Sequence, residues 1–291
     1  MSVRGWILGG AAIVVGLTGL AAFAVRKELS WVVPTDPFQI ADNLYYVGSA
    51  GVSAFLIKTS DGAILIDGGM PGGEKRIEKS LATLGFKPTD VKILLNTHAH
   101  FDHAGDFAAL KRDTGAILAA SAGDRKALET GTYIGSEDVG VSKFPPVKVD
   151  RVLADGDVVT LGGVSLTAHV TPGHTAGCTS WTFPIQYGGQ TKQVFVSCST
   201  SVGVNRLVSK TKGPQYPGIV ADYEKTFARL KTFRADIYLA PHNEQFGMAQ
   251  KRAKMVEGLD AFVDPNELQA RVAASEADFR RALAKQQEAA K

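Results

Sequence analysis

Cysteine is nearly absent: Cys178 and Cys198 are the only two in 291 residues. That is too few for a disulfide-stapled scaffold or a cysteine-rich zinc domain. An excess of charge of either sign is missing too. Lysine and arginine number 32 against 29 acidic residues. Three of the basic ones, Arg4, Arg26 and Lys27, flank one apolar stretch, which leaves a body with 29 of each sign. Such a body has no basic field to hold a phosphate backbone, so nucleic acid is not an expected partner. No short fixed-period repeat appears, and the 31 glycines show no collagen period. With 45% apolar and 21% charged residues, the composition is not that of a disordered polymer.

Charge is also absent from Gly5 to Val25. Five glycines and no polar face make this a poor soluble helix. About 21 apolar residues after a short positive start suit a targeting or anchoring segment. The Ala22-Phe23-Ala24 triplet suits a signal peptide cleaved after Ala24. The apolar length and the Arg26-Lys27 pair suit an uncleaved N-terminal membrane anchor, and both readings stay open. Residues 1–27 are therefore set aside, and the chain is expected to be exported, to the bacterial periplasm. Any membrane contact is expected through this segment alone. Residues 28–291 are expected to form a single domain, with a monomer as the expected state.

From Trp31 onward, short apolar strands alternate with amphipathic helices. Strands are expected at 44–47, 53–58, 63–67, 91–96 and 116–119, then at 147–153, 164–170, 179–183, 193–197 and 236–240. Helices are expected at 74–84, 106–112, 122–130, 219–233 and 245–257. A last helix is signalled at about 265–287, with Asp264 as N-cap, Pro265 first and Glu267 completing a capping box. This order, run through twice, points to an α/β fold of two similar halves meeting at a sheet-on-sheet core.

The six histidines decide the chemistry. His98, His100 and His103 fall within six residues, with Asp102 among them, right after the apolar run 91–95. The cluster thus leaves the C-terminal end of a buried strand, where open α/β folds place their sites. His98 and His100, two apart in extended chain, point the same way and converge on one ion. Asp102 and His103, past the turn, face a neighbouring one. His174 after Thr171-Pro172-Gly173, and His242 after Ala240-Pro241, also sit where apolar runs end and bend. Together these make six ligands for two ions, and imidazole with carboxylate favours zinc. Left open on loops, such sites imply catalysis rather than a structural metal. His169 lies inside a strand with no such turn and reads as structural.

The runs Ala63-Ile64-Leu65-Ile66-Asp67-Gly68-Gly69, Thr97-His98-Ala99-His100-Phe101-Asp102-His103, Thr171-Pro172-Gly173-His174-Thr175 and Pro241-His242 together resemble the metallo-β-lactamase superfamily, over roughly residues 38–255. The resemblance implies an αββα sandwich with a dinuclear metal site at the sheet edge. Thiolester, lactone and phosphodiester members carry a bridging aspartate on the strand after His174. Here that strand runs into Cys198-Ser199-Thr200-Ser201, and His103 follows the motif aspartate. The pattern is therefore similar to the subclass B3 metallo-β-lactamases, with His98, His100 and His174 on the first zinc and Asp102, His103 and His242 on the second. The resemblance further implies a Cys178–Cys198 disulfide, which an exported chain permits. It also implies Ser199 and Ser201 toward a substrate carboxylate or water, and Asp67 behind a ligand histidine. Residues 131–143 and 205–217 are expected to wall the groove. The expected reaction opens the β-lactam ring of penicillins, cephalosporins and carbapenems with a metal-bound hydroxide, Asp102 orienting the nucleophile and relaying a proton. A lactonase or other esterase of the same fold is the alternative.

Overall fold

Short apolar runs broken by glycine and polar turns build two sheets. The computed structural model describes residues 30–137, 143–257 and 260–291. The leader or anchor at 1–27 lies outside the described residues, as do 138–142 of the expected groove wall. The first sheet holds, in spatial order, β1 (Phe38–Ala41), β2 (Leu44–Tyr46), β3 (Phe55–Thr59), β4 (Gly62–Ile66), β5 (Val91–Leu95), β6 (Ile117–Ser121) and β7 (Arg151–Leu153). Its first four strands pair antiparallel, and β4 to β7 pair parallel. Parallel pairing needs crossovers. These are α1 (Glu74–Thr83), the short α2 (Phe101–Ala104) with α3 (Phe107–Thr114), and α4 (Ala122–Thr130).

The second sheet holds β8 (Val158–Leu161), β9 (Val164–Val170), β10 (Thr179–Tyr187), β11 (Gln190–Val196) and β12 (Ile237–Leu239), again in that spatial order. Only β11 and β12 pair parallel, across α5 (Ile219–Leu230). The helices α6 (Met248–Val256) and α7 (Glu267–Ala289) complete the chain. Among the described residues no helix is long and apolar enough to cross a membrane.

Strand alternation sorts the side chains into two cores. Ile64 and Ile66 of β4, Ile93 and Leu95 of β5 and Phe55 and Ile57 of β3 join Trp181, Phe183 and Val194 of the second sheet. Their alternates Ala63, Leu65, Leu94 and Leu56 pack instead with Ile77, Leu81, Phe107 and Leu110 of the helices, and Val91 joins them where the β4–β5 register shifts. On the far side, Tyr223, Phe227 and Phe279 of α5 and α7 close over the second sheet. The layers are helix, sheet, sheet, helix, as expected, although the halves are unequal, with seven strands and five.

Several elements depart from the sequence expectation: the short helix α2 is not expected, and β7 and α6 begin later, at Arg151 and Met248. The short strands β1 and β8 also escape the expectation, and α7 begins at Glu267 rather than 265. The expected capping box does not form there. Asp264 Oδ1 accepts from the Asn266 N–H at 2.9 Å. The Glu267 carboxylate is drawn instead to the half-buried Lys251 of α6.

Cys178, just before β10, is bonded to Cys198, just after β11, with Cα atoms 5.7 Å apart. The bond closes the end of the strand pair nearest the histidine loops. For a closed loop of this length (sequence separation 20), breaking it is expected to lower stability by about 3 kcal/mol. Denaturation with and without reductant measures this. Both thiols should also resist alkylation in the denatured chain until reduced; prompt labelling of both would contradict the bond.

Candidate metal centre

The six donor side chains arrive from the ends of three strands. Asn96 to His100 leave β5 as a loop, and His100 is still extended (φ −95°, ψ 156°) where it starts α2. That one change of backbone, from extended to helical, swings Asp102 and His103 away from His98 and His100. After β9, Pro172 and Gly173 bend the chain back to His174. Gly173 has φ 142°, and a Cβ there would lie 2.8 Å from the Tyr223 ring, so no other residue fits. After β12, His242 bridges to Val52 of the first sheet's β2–β3 loop, and Ser53 N–H donates to the Pro241 carbonyl at 2.8 Å. Two groups result. The ligand atoms of His98, His100 and His174 lie within 4.8 Å of one another, and so do those of Asp102, His103 and His242. The groups adjoin, with the His98 and His103 ring centroids 4.2 Å apart.

Each first-group imidazole is set by its surroundings. Asp67 accepts from both the N–H and the hydroxyl of Thr97, each at 2.7 Å. That hydroxyl, its proton committed to Asp67, accepts from His98 Nδ1 at 3.0 Å. His98 therefore presents the Nε2 lone pair. His174 Nδ1 donates to the Ser201 carbonyl at 2.7 Å, with the same consequence. His100 stands edge-on to the Tyr133 ring at 4.1 Å. In the second group, His103 Nε2 and His242 Nε2 are 3.2 Å apart, and Asp102 Oδ2 is 3.2 and 3.3 Å from them. The Trp31 indole covers the His242 ring at 5.2 Å.

Both groups fit a cation. His98 Nε2 is buried without a hydrogen-bond partner, a state that costs about 1–3 kcal/mol unless something binds there. Burial and the neighbouring imidazoles hold His98 and His100 well below the ordinary histidine range, and burial lowers His174 to about 4. All three are neutral lone-pair donors at pH 7. Burial opposes ionisation of Asp102 as well, yet His103 and His242 keep its carboxyl well below the usual range. His103 goes the other way: against burial, Asp102 and Asp67 raise it to about 10. The second group thus attracts positive charge, whether proton or metal ion. Mixed imidazole and carboxylate donors in threes, with positions left open, are what zinc and similar divalent ions take.

The family model of the metallo-beta-lactamase superfamily matches residues 47–242. The crystal structure of BJP-1, a subclass B3 metallo-beta-lactamase of Bradyrhizobium japonicum, is 47% identical with a TM-score of 0.87, covering 90% of this chain and 98% of that one. The chain belongs to the metallo-beta-lactamase superfamily. Native FEZ-1 from Legionella gormanii is 36% identical with a TM-score of 0.83, covering 88% of this chain and 98% of that one. Subclass B3 is thus the part of the superfamily that the chain resembles, and a metal-dependent hydrolase is the activity this supports. An N-acyl homoserine lactonase of Bacillus cereus is 29% identical over 43% of this chain and 55% of its own length. The chain spans about half the length of the curated relatives it matches.

Cys198 has its sulfur bonded to Cys178, so it offers no thiolate to the second group. Ser201 is exposed and its hydroxyl lies 3.1 Å from that of the buried Ser199. Ser201 also serves through its carbonyl, which holds His174. Asp67, expected behind a ligand histidine, has Oδ2 3.6 Å from His103 Nδ1 and also reaches His98 through the Thr97 hydroxyl. It is the sole non-glycine with positive φ (64°) among the described residues, a local strain at the end of β4. His169 is structural, with Nε2 2.7 Å from the Thr182 hydroxyl. In the described part of the first expected groove wall, Gln215 donates to the Ile134 carbonyl and Arg206 to the Gly135 carbonyl, which braces residues 131–137 against 205–217.

Asp124 is not among the expected site residues. Asp124, buried on α4, accepts from the Ala99 and Gly177 N–H groups at 2.8 and 3.0 Å and from the Thr175 hydroxyl at 3.0 Å. It ties the His98-x-His100 loop to the His174 loop. The available signal was its place, just past the C-terminal end of β6, on the same edge as the histidines. An amide cannot serve three donors, since its NH2 would face one of them. Asp124→Asn is therefore expected to cost about 1–3 kcal/mol and to weaken metal retention about 10-fold. Chemical denaturation and metal titration check this; no change in either would contradict the bridging role.

Proposed function

We propose that this protein is a dizinc β-lactamase that opens the ring of penicillins, cephalosporins and carbapenems. One observation carries the proposal: two adjoining three-donor groups, the second completed by His103 and His242, with the nearby cysteine locked in a disulfide. His98, His100 and His174 would hold one zinc ion, and Asp102, His103 and His242 the other. Bound there, zinc supplies Lewis acidity, polarising a carbonyl and acidifying water.

The chain's own groups do the rest. Asp102, ionised and buried, offers its oxygens only as acceptors, so it orients an attacking water and takes up its proton. The Ser201 hydroxyl, exposed beside His174, is placed to donate to a substrate carboxylate, with Ser199 behind it. Tyr133 and Trp31 flank the two groups as apolar walls that limit water. Neither Ser199 nor Ser201 serves as nucleophile, because the imidazole beside them, His174, has its Nδ1 engaged by the Ser201 carbonyl. The disulfide suits an oxidising compartment, which supports the reading of an exported, periplasmic protein. The likeness to a lactonase makes lactone hydrolysis the competing outcome.

Purified zinc-loaded protein should hydrolyse a cephalosporin faster than an acyl-homoserine lactone, lose that activity to a chelator and regain it with zinc. Inhibitors that acylate serine should have little effect. Preference for the lactone would replace the β-lactamase reading with the esterase one. Among variants, Ser199→Ala should cost about 1–2 kcal/mol of transition-state stabilisation, roughly 5- to 30-fold in kcat/KM. His242→Ala should cost more than about 100-fold, beyond what loss of an outer partner of a ligand costs. The reverse order would contradict a metal-centred reaction.

A further inference from the structure

The C-terminal helix is remote in sequence from every donor, yet one of its side chains closes the network around His174. Gln286, near the end of α7, accepts through Oε1 from the Leu207 N–H at 2.7 Å and the Val208 N–H at 3.1 Å. Through Nε2 it donates to the Asn205 carbonyl at 3.0 Å. The buried Asn205 in turn donates from its side-chain amide to the His174 carbonyl at 2.8 Å. Residues 201–205 thus hold His174 at both ends: the Ser201 carbonyl takes the ring Nδ1–H, and the Asn205 amide grips the main chain.

Besides Gln286, the Tyr223 hydroxyl donates to the Ser201 carbonyl at 2.7 Å, the Tyr133 hydroxyl lies 3.1 Å from Asn205 Oδ1, and Val202 is buried. The stretch is neither helix nor strand, and it turns through Gly203 at φ 55°, with the Asn205 N–H donating to the Val202 carbonyl at 3.0 Å. At its tip Val204 is 94% exposed and packs on nothing. The geometry of the stretch therefore depends on how its ends are held: Tyr223 holds the Ser201 end, and at the other end Tyr133 meets the Asn205 side chain while Gln286 of α7 takes the Asn205 carbonyl. We propose that Gln286 is a positioning residue for His174, which makes the C-terminal helix part of the metal centre.

This rests on His174 being a metal ligand. Without Gln286, two N–H groups and one carbonyl lose their partner, the turn shifts, and His174 no longer approaches on a fixed path. Outer partners of ligands usually account for 10–100-fold in metal affinity, so a loss of about 10-fold is expected one bond further out. The loss should fall on one of the two ions and spare the other.

Zinc titration of the full chain against a chromophoric chelator tests the proposal, with Gln286→Ala, Gln286→Glu, Leu268→Ala and His174→Ala. Gln286→Glu keeps the length and the accepting oxygens but cannot donate to Asn205, so it serves even where Gln286→Ala fails to fold. Leu268 is buried at the start of the same helix, away from 205–208, and reports the effect of merely loosening it. The expected result is weaker binding of one zinc in both Gln286 variants, with Leu268→Ala less heat-stable but unchanged in affinity. Unchanged affinities in the Gln286 variants, or an equal loss in Leu268→Ala, would overturn the proposal and leave the metal centre standing. Unchanged binding in His174→Ala would overturn the metal centre itself, and the proposal with it.

Discussion

Five imidazoles and a carboxylate crowded at one sheet edge repel one another when protonated and face unmatched lone pairs when neutral. Water could relieve this only by entering a site whose His98 and His103 are fully buried. A cation relieves it directly, and much of the surrounding structure holds the donors in place against that repulsion. Asp67 accepts strain to reach Thr97, Gly173 is the one residue that fits beneath Tyr223, and Asp124 binds two ligand loops to each other. Hydrogen bonds to charged groups are the stronger ones, about 1.5–3 kcal/mol each, so carboxylates are suited to this bracing.

The sandwich matters because it supplies opposed edges. Parallel strands β4 to β6 all end on the side where the histidine loops begin, and β9 and β12 end against them. Cross-sheet bonds fix the distance between the two sets: the Thr179 N–H donates to the Thr97 carbonyl at 2.8 Å, and the Ser53 N–H to Pro241. Between them Trp181, fully buried, fills the space beneath the site. Rigidity of this kind is what a site needs if its ligands are to meet a metal without reorganising.

Much of this was legible in the sequence for a physical reason. Metal ligation needs specific side chains at specific spacings, so His98, His100, Asp102 and His103 announce themselves, and apolar runs mark β4 and β5 as buried strands. The supporting groups were not legible, because hydrogen bonding to main chain leaves no pattern. Asp124 and Asn205 look like any helix or loop residue until the fold brings Ala99 and His174 to them. Glu267 shows the converse: its spacing from Asp264 fits a capping box, and only the fold shows that Lys251 takes it instead. β1 and β8 were missed because strands of four residues carry too little alternation to stand out.

The central claim is that six donors form two three-ligand sites rather than one larger one. Native mass spectrometry of the full chain in zinc-replete buffer counts the ions directly. Two zinc ions per chain are expected, falling to one when His103 and His242 are both replaced by alanine. A count that stays at one in the unaltered protein would contradict the claim.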